Sequence, residues 1–297
     1  MRHNDLYYEE RNPSPLQQAW LDFYEKPLAR AALYTLALLL FITLFGPVLA
    51  PFGANEQFID ALSLPPAWSN HGDLRFLLGT DSLGRDMTSR ILHGARFTFG
   101  LPLLVVCIAG ILGITAGAMA AMNVGVASSS VQHLLGVLFS IPSLLLALII
   151  IAVIGPGLVN AAIAIGLVFI PQFLLATRTA IIEELNKDYV IASRLNGVSS
   201  AYLIFAVILP NIVKALVTQF TLAFSAAILD IAALGFLGLG AQSPAPEWGA
   251  MLTLSVELAY NTPWVMALPG LALFITLISV NVMGETLLST LQARMEH

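Results

Sequence analysis

The chain has 297 residues, 58% of them hydrophobic and only 10% charged, with a formal net charge of −5 and a mean hydropathy of +0.83. That balance belongs to an integral membrane protein and excludes a soluble domain, and the sparse, net-negative charge offers no surface for nucleic acid. The single cysteine, Cys107, excludes an intrachain disulfide, and its place inside an apolar run reads as packing.

Charge-free stretches at 31–55, 97–177 and 258–284 set the number of spans, because crossing about 30 Å of hydrocarbon takes roughly 20 apolar residues. Ser14-Pro15-Leu16-Gln17 reads as a capping box with proline at the first helical position. Leu16, Trp20 and Phe23 then fall opposite Gln17, Asp22 and Glu25, which predicts an amphipathic helix over 15–26 lying on the membrane surface, within a tail of residues 1–27. A first span over 28–50 ends near Gly46-Pro47 and Pro51, and its late start predicts that it stays as a span and is not removed as a signal peptide. The loop 51–96 holds a short helix between Gly84 and Gly94, with Asp86 and Arg90 four apart and placed to pair. The second span, 97–121, carries Gly113-x-x-x-Gly117, a close-approach motif expected to pack inside its own bundle. A small-polar turn over 123–133, a third span over 133–154 through Ile141-Pro142, and a tight reversal at Gly155-Pro156-Gly157 follow. The fourth, fifth and sixth spans are expected at 158–182, 214–238 and 264–288. This is an all-α architecture of six transmembrane helices, one bundle over 28–297 with both termini on one side. Arg2, Arg11, Lys26, Arg30, Arg178, Lys187, Arg194, Lys214 and Arg294 lie on that side, against Arg75, Arg85, Arg90 and Arg96 on the other. The positive-inside rule therefore places both termini and the 183–213 loop in the cytoplasm.

Several chemistries are excluded. A P-loop needs Gly-Lys before Ser or Thr, and the three lysines follow Glu25, Asn186 and Val213, so no nucleotide is bound by the usual machinery. His3, His71, His93, His133 and His297 form no pair at ligand spacing, and no Gly-x-Ser-x-Gly elbow occurs. The reading is a non-enzyme with no catalytic residues, metal or cofactor of its own. Asp230 is the single carboxylate deep in a span, a costly placement that marks either a pathway or a packing hydrogen bond. Gly235, Gly238 and Gly240 follow it on the same segment, and Glu285, near the inner end of the last span, reads as interfacial.

The long polar connection carries Asp188-Tyr-Val-Ile-Ala192-Ser-Arg-Leu-Asn-Gly197, then Val207-Ile-Leu209-Pro210-Asn211. Glycine permits a positive-φ corner that costs other residues strain, and proline lacks the N–H of a continuing helix. A helix, a sharp corner at Gly197 and a short second helix over about 198–206 are expected, with Tyr202, Leu203, Phe205 and Ala206 on its apolar face.

This spacing resembles the coupling loop of ABC-transporter permeases, matching at Ala192, Gly197, Leu209 and Pro210 and departing at Ile191, Ser193 and Val207. Leu78-Gly-Thr-Asp-Ser-Leu-Gly84-Arg-Asp86 and Gly235-Phe-Leu-Gly-Leu-Gly-Ala-Gln242, continued by Pro244-Ala-Pro-Glu-Trp-Gly249, are similar to signatures of the dipeptide/oligopeptide/nickel branch. Asn55-Glu-Gln-Phe58, Leu64-Pro-Pro-Ala-Trp68 and the Asp230 segment resemble the Sap-type group within that branch. The resemblance implies a type I importer permease (MetI-like) fold in the bacterial inner membrane. It implies a heterodimer with a second homologous permease, two P-loop ATPase subunits that bind the ATP, and a periplasmic solute-binding protein. It gives the 51–96 loop a periplasmic place and the 183–213 loop the coupling role. For the Sap-type group it implies uptake of cationic antimicrobial peptides or export of putrescine. Two rivals from other classes remain: a proton-coupled secondary carrier using Asp230, and a membrane scaffold whose 183–213 loop recruits a cytoplasmic protein.

Overall fold

A computed structural model of the chain describes residues 21–122, 141–256 and 260–295. The first half of the helix expected at 15–26, and all of the 123–133 turn with the start of the third span, lie outside these residues. Within them the chain is helical apart from loops, a 3-10 turn at Ile59–Ala61 and one isolated bridge between Thr80 and Asp86.

Helix α1, Pro27–Leu49, starts with proline at its first position, where the missing N–H has no partner to lose. Helix α2, Met87–Ala95, runs through a π-helical turn at Arg96–Gly100 into α3, Leu101–Met122. Helices α4, Ser143–Ile154, and α5, Leu158–Leu185, meet at Gly155 and Gly157, with φ of 91° and 142°. Asn160 Nδ2 donates to the Ile154 and Gly155 carbonyls at that reversal, both at 3.1 Å. Helix α6, Asp188–Leu195, and α7, Ser200–Asn211, form the connection to α8, Val213–Phe236. Helix α9, Trp248–Ser255, precedes the last and longest, α10, Pro263–Met295.

Five helical stretches among the described residues are long and apolar enough to cross a membrane: 27–49, 87–122, 158–185, 213–236 and 263–290. The shorter α4 supplies the described part of the third of six spans. The helix pair α3–α5 is the tightest, for the reason the small-residue motif predicts. A Cβ on Gly113 would stand 2.4 Å from Phe173 Cβ and one on Gly117 2.6 Å from the Leu174 carbonyl oxygen. Only glycine lets the two backbones approach that closely. Phe99, Phe169, Phe173, Phe224, Ile228 and Trp248 centre the main core, which joins α3, α5, α8, α9 and α10.

Three expectations are corrected. The short helix of the outer loop is not separate from the second span: it runs from Met87 through the π-helical turn into α3, with Ser89 and Arg90 of α2 buried. Ile141-Pro142 does not run through a continuous helix: Pro142 is extended (ψ 139°) and α4 starts after it, as a residue without an N–H favours. Asp86 does not pair with Arg90. It caps α2 instead, accepting from the Thr88 and Ser89 amides and from Ser89 Oγ, because a carboxylate at an N-cap satisfies orphan donors that an ion pair would leave bare.

Candidate functional site

Two polar regions stand at opposite ends of the bundle, and an intramembrane carboxylate lies between them. On the face that carries residues 51–86 and 237–256, the two glycine-rich motifs of the sequence meet. Glu247 is fully buried and caps α9: Oε1 accepts from the Gly249 amide and Thr98 Oγ1, each at 2.9 Å, and Oε2 from the Ala250 amide at 2.7 Å. Burial pushes its carboxyl pKa up against these three donors, which pull it down. The π-turn of residues 96–100 aims Thr98 at this cap, and Thr98 Oγ1 also accepts from the Trp248 amide at 3.0 Å. Trp248 Nε1 donates to the Ile91 carbonyl at 3.1 Å. Beside it, Asp81 pairs with Arg85 at 2.7 Å and lies 3.8 Å from Arg90, all buried. Arg90 also donates to the Ala54 carbonyl at 3.0 Å. This network locks loop 51–86 onto the α8–α9 corner.

At the opposite end, the 186–212 connection is built on a polar latch. Glu184, 7% exposed at the foot of α5, pairs with Lys187 Nζ at 2.7 Å and accepts a hydrogen bond from the Tyr189 hydroxyl. Asn211, at the end of α7, stands near the same phenol, so Tyr189 lies between the two ends of the connection. Burial, with the Glu184 carboxylate adding to it, holds the Tyr189 phenol well above its ordinary pKa. Val190, Leu203, Ile204, Ile208 and Ile212 sink into a second core against Ala118, Ala121, Ala180 and Ile181 of α3 and α5. Gly197 makes the corner at φ 78°, with open space where a Cβ would go, so its requirement is the backbone angle alone. Ala192 is exposed, Leu209 half-buried and Pro210 exposed. Pro210 does not stop the helix. A π-helical stretch over Leu203–Ile208 precedes it and α7 runs on to Asn211, with the break at Ile212. Leu203 points inward, whereas Tyr202 (60%), Phe205 (63%) and Leu195 (83%) stand exposed. The anchored helix thus presents aromatic side chains away from the bundle.

Asp230 is 8% exposed in α8, and its Oδ2 has no partner among the described residues. Ser143, at the start of α4, is a polar side chain close to this carboxyl. Ser143 and Ala226 line a cavity of about 450 Å³ that Asp230 itself does not reach. The carboxylate therefore sits one side chain behind the cavity wall.

Glu184, Tyr189 as a latch, Thr98, Ser143 and Glu247 were not singled out from sequence. The i,i+3 pair Glu184–Lys187 and an acidic residue directly before an apolar run at 248–252 were available local signals. The Asp230–Ser143 and Glu247–Thr98 contacts join distant segments and leave no local trace.

The Tyr189 latch carries an expected outcome. Tyr189→Phe removes a hydrogen bond to a charged acceptor, worth about 1.5–3 kcal/mol, so local opening of the connection rises by roughly tenfold or more. Trypsin cleavage at Arg194 in membranes open on that face reads this out, and unchanged cleavage would show that the latch holds nothing.

A bundle of six spans with a folded helical connection between the fourth and fifth is the architecture of a transporter permease. The chain belongs to the family described as binding-protein-dependent transport system inner membrane component, whose model matches residues 113–297, and residues 14–66 match the N-terminal TM domain of oligopeptide transport permease C. It is 44% identical to the di/tripeptide transport system permease protein DppC of Pseudomonas aeruginosa, over 96% of this chain and 94% of that one. It is 45% identical to the peptide transport system permease protein SapC of Escherichia coli, over 96% of both. The dipeptide transport system permease protein DppC of Escherichia coli is 41% identical over 95% of this chain and 94% of its own. A chain in a structure of the MetNI methionine ABC transporter superposes with a TM-score of 0.54 at 18% identity, covering 67% of this chain and 95% of that one, which shows the shared MetI-like fold.

Proposed function

We propose that this chain is one transmembrane half of an ATP-driven peptide transporter, and that the 183–213 connection couples it to an ATPase. The observation that carries this reading is the exposed Tyr202–Phe205 face, held rigidly by buried Val190, Ile204 and Ile208 and by the Gly197 corner. A docked helix transmits rotation only when its base is fixed, and here the Tyr189–Glu184 hydrogen bond and the buried apolar residues of the connection fix it. Ala192, Gly197, Leu209 and Pro210 form the coupling segment in this reading. Two P-loop ATPase subunits supply ATP binding, a second homologous permease completes the pathway, and a periplasmic solute-binding protein delivers solute to the opposite face. Positive-inside asymmetry supports cytoplasmic termini, a cytoplasmic 183–213 loop and a periplasmic 51–96 loop in the inner membrane.

Peptides are the substrate class that the relatives' names support; the Sap-type resemblance adds cationic peptides for uptake or, alternatively, the diamine putrescine for export, and both carry the charge that Asp230 would oppose. Asp230→Asn is expected to leave assembly intact and neutral dipeptide transport unchanged, while transport of a cationic peptide or putrescine falls. Equal transport of charged and neutral substrates by the variant would make Asp230 a packing residue. Against the carrier rival stands the burial of Asp230 behind Ser143. Purification of the tagged chain from its own membrane in mild detergent tests the whole reading. A second hydrophobic subunit and P-loop ATPases are expected to co-purify; a chain that comes through alone and moves solute in liposomes without ATP would overturn it.

A further inference from the structure

A groove of about 760 Å³ runs between α1, α3, α8 and α10, and its walls are apolar, including Leu33, Ala37, Leu40, Cys107, Phe220 and Met283, apart from Thr221, whose hydroxyl donates to the Val217 carbonyl. It lies inside the membrane-spanning part of the bundle and opens outward, since Ala37 and Leu40 are exposed. Water gains no hydrogen bonds in such a space, and an empty groove forfeits the dispersion contacts of its lining. An apolar chain must fill it.

The end of the groove says which chain. Leu33, Ala37 and Leu40 are spaced four and three apart on α1. The same stripe, continued toward the start of the helix, carries Arg30 and then Lys26. Both cations are exposed. Lys26 Nζ donates to Ser289 Oγ on α10 at 2.8 Å, two residues beyond Leu287 of the groove wall. The ammonium therefore joins the two helices that flank this end of the groove. Arg30 stands 5.8 Å from the centre of the Tyr24 ring, and the Tyr24 and Tyr34 hydroxyls hydrogen-bond each other, an aromatic pair of the kind that sits at headgroup level. Among the described residues neither cation is ion-paired. Asp22 and Glu25 are the acids nearest in sequence, but they lie on the helical residues 21–25, before the chain bends at Lys26, where ψ is 115°.

We propose that this groove binds an acyl chain of an anionic phospholipid whose phosphate is held between Lys26 and Arg30. Guanidinium and ammonium groups bind phosphate through charge-assisted hydrogen bonds. A basic site between spans at the membrane surface is suited to an acidic headgroup. The lipid would belong to the leaflet on the side of the 186–212 connection, and it would bridge α1 to α8 and α10 where protein contacts leave a gap. The site does not depend on the transported solute or on the ATPase reading.

The test is intact-mass spectrometry of the full chain, with whatever subunits accompany it, purified in mild detergent. Stoichiometric anionic phospholipid is expected on the wild type, and Lys26→Gln with Arg30→Gln should lower its retention by about tenfold or more. Ala37→Trp fills the groove and should expel the lipid while both cations remain. Thermal melting of the wild-type protein in phosphatidylcholine vesicles, with and without phosphatidylglycerol, needs no variant and should show a higher midpoint with the anionic lipid. Equal retention of zwitterionic and anionic lipid, unchanged retention in the double variant, equal melting in the two vesicles, or a helix of a partner subunit cross-linked into the groove from position 107 would each overturn the proposal.

Discussion

Replacing Gly197 with valine is expected to abolish ATP-coupled transport while the chain still inserts and accumulates in the membrane. The corner has φ 78°, with nothing within 4 Å of the position a Cβ would take. The substitution therefore meets no neighbour and acts only through the backbone. A β-branched residue held at positive φ costs on the order of 1–3 kcal/mol, enough to shift the corner's population by about tenfold or more. The strain is released by rotating α6 against α7, which moves Tyr202 and Phe205 away from their fixed angle. Gly197→Asn is the control, because asparagine tolerates the left-handed region; it should keep most of the transport that valine loses. Solute-stimulated ATP hydrolysis and solute uptake, both measured in the same reconstituted complex, read this out. Normal uptake by the valine variant would remove the corner from the coupling account.

The largest stability effect is expected at the other end, where Gly249 and Glu247 hold α9. A Cβ on Gly249 would lie 2.0 Å from the Ala232 carbonyl oxygen. That contact is backbone on α8, which cannot swing aside. Gly249→Leu should therefore displace α9 and prevent accumulation of the folded chain. Glu247→Ala is the graded version. It removes an N-cap, worth roughly 0.5–2 kcal/mol, and strands buried donors on Thr98, Gly249 and Ala250 at about 1–3 kcal/mol each if nothing replaces the carboxylate. A lower melting midpoint of the purified Glu247→Ala chain, which still accumulates where Gly249→Leu does not, is the expected order. An unchanged midpoint in Glu247→Ala would mean that water or the Thr98 hydroxyl takes over the cap.

Much of the architecture is legible in the residues because hydrocarbon imposes a length rule that soluble folding lacks. The first and sixth spans could be placed from uncharged runs almost alone, most of the fourth from the run that ends at residue 177, and the fifth from hydropathy despite Lys214 and Asp230, while Gly155-Pro156-Gly157 marks its reversal through backbone freedom. Gly197 is legible for the same reason: a glycine between two helical patterns has few uses other than a positive-φ break. Pro210 misleads, because proline is read as a stop, whereas the π-helical stretch before it accommodates the missing N–H and carries the helix on to Asn211. Asp86 and Arg90 mislead as well. Their spacing permits a pair, but a helix N-terminus competes for the carboxylate and wins. The tie of Glu247 to Thr98 and the approach of Ser143 to Asp230 come from packing across the bundle, and residue spacing contains no trace of them.

The central claim is that the outward aromatic face of α7 is where an ATPase docks. A photo-crosslinking amino acid at position 202 or 205, activated in intact native membranes, tests it directly. The account predicts a covalent adduct with a P-loop ATPase subunit from both positions, lost when Gly197 is valine. Adducts with lipid alone, from a chain shown to be in its assembled complex, would contradict it.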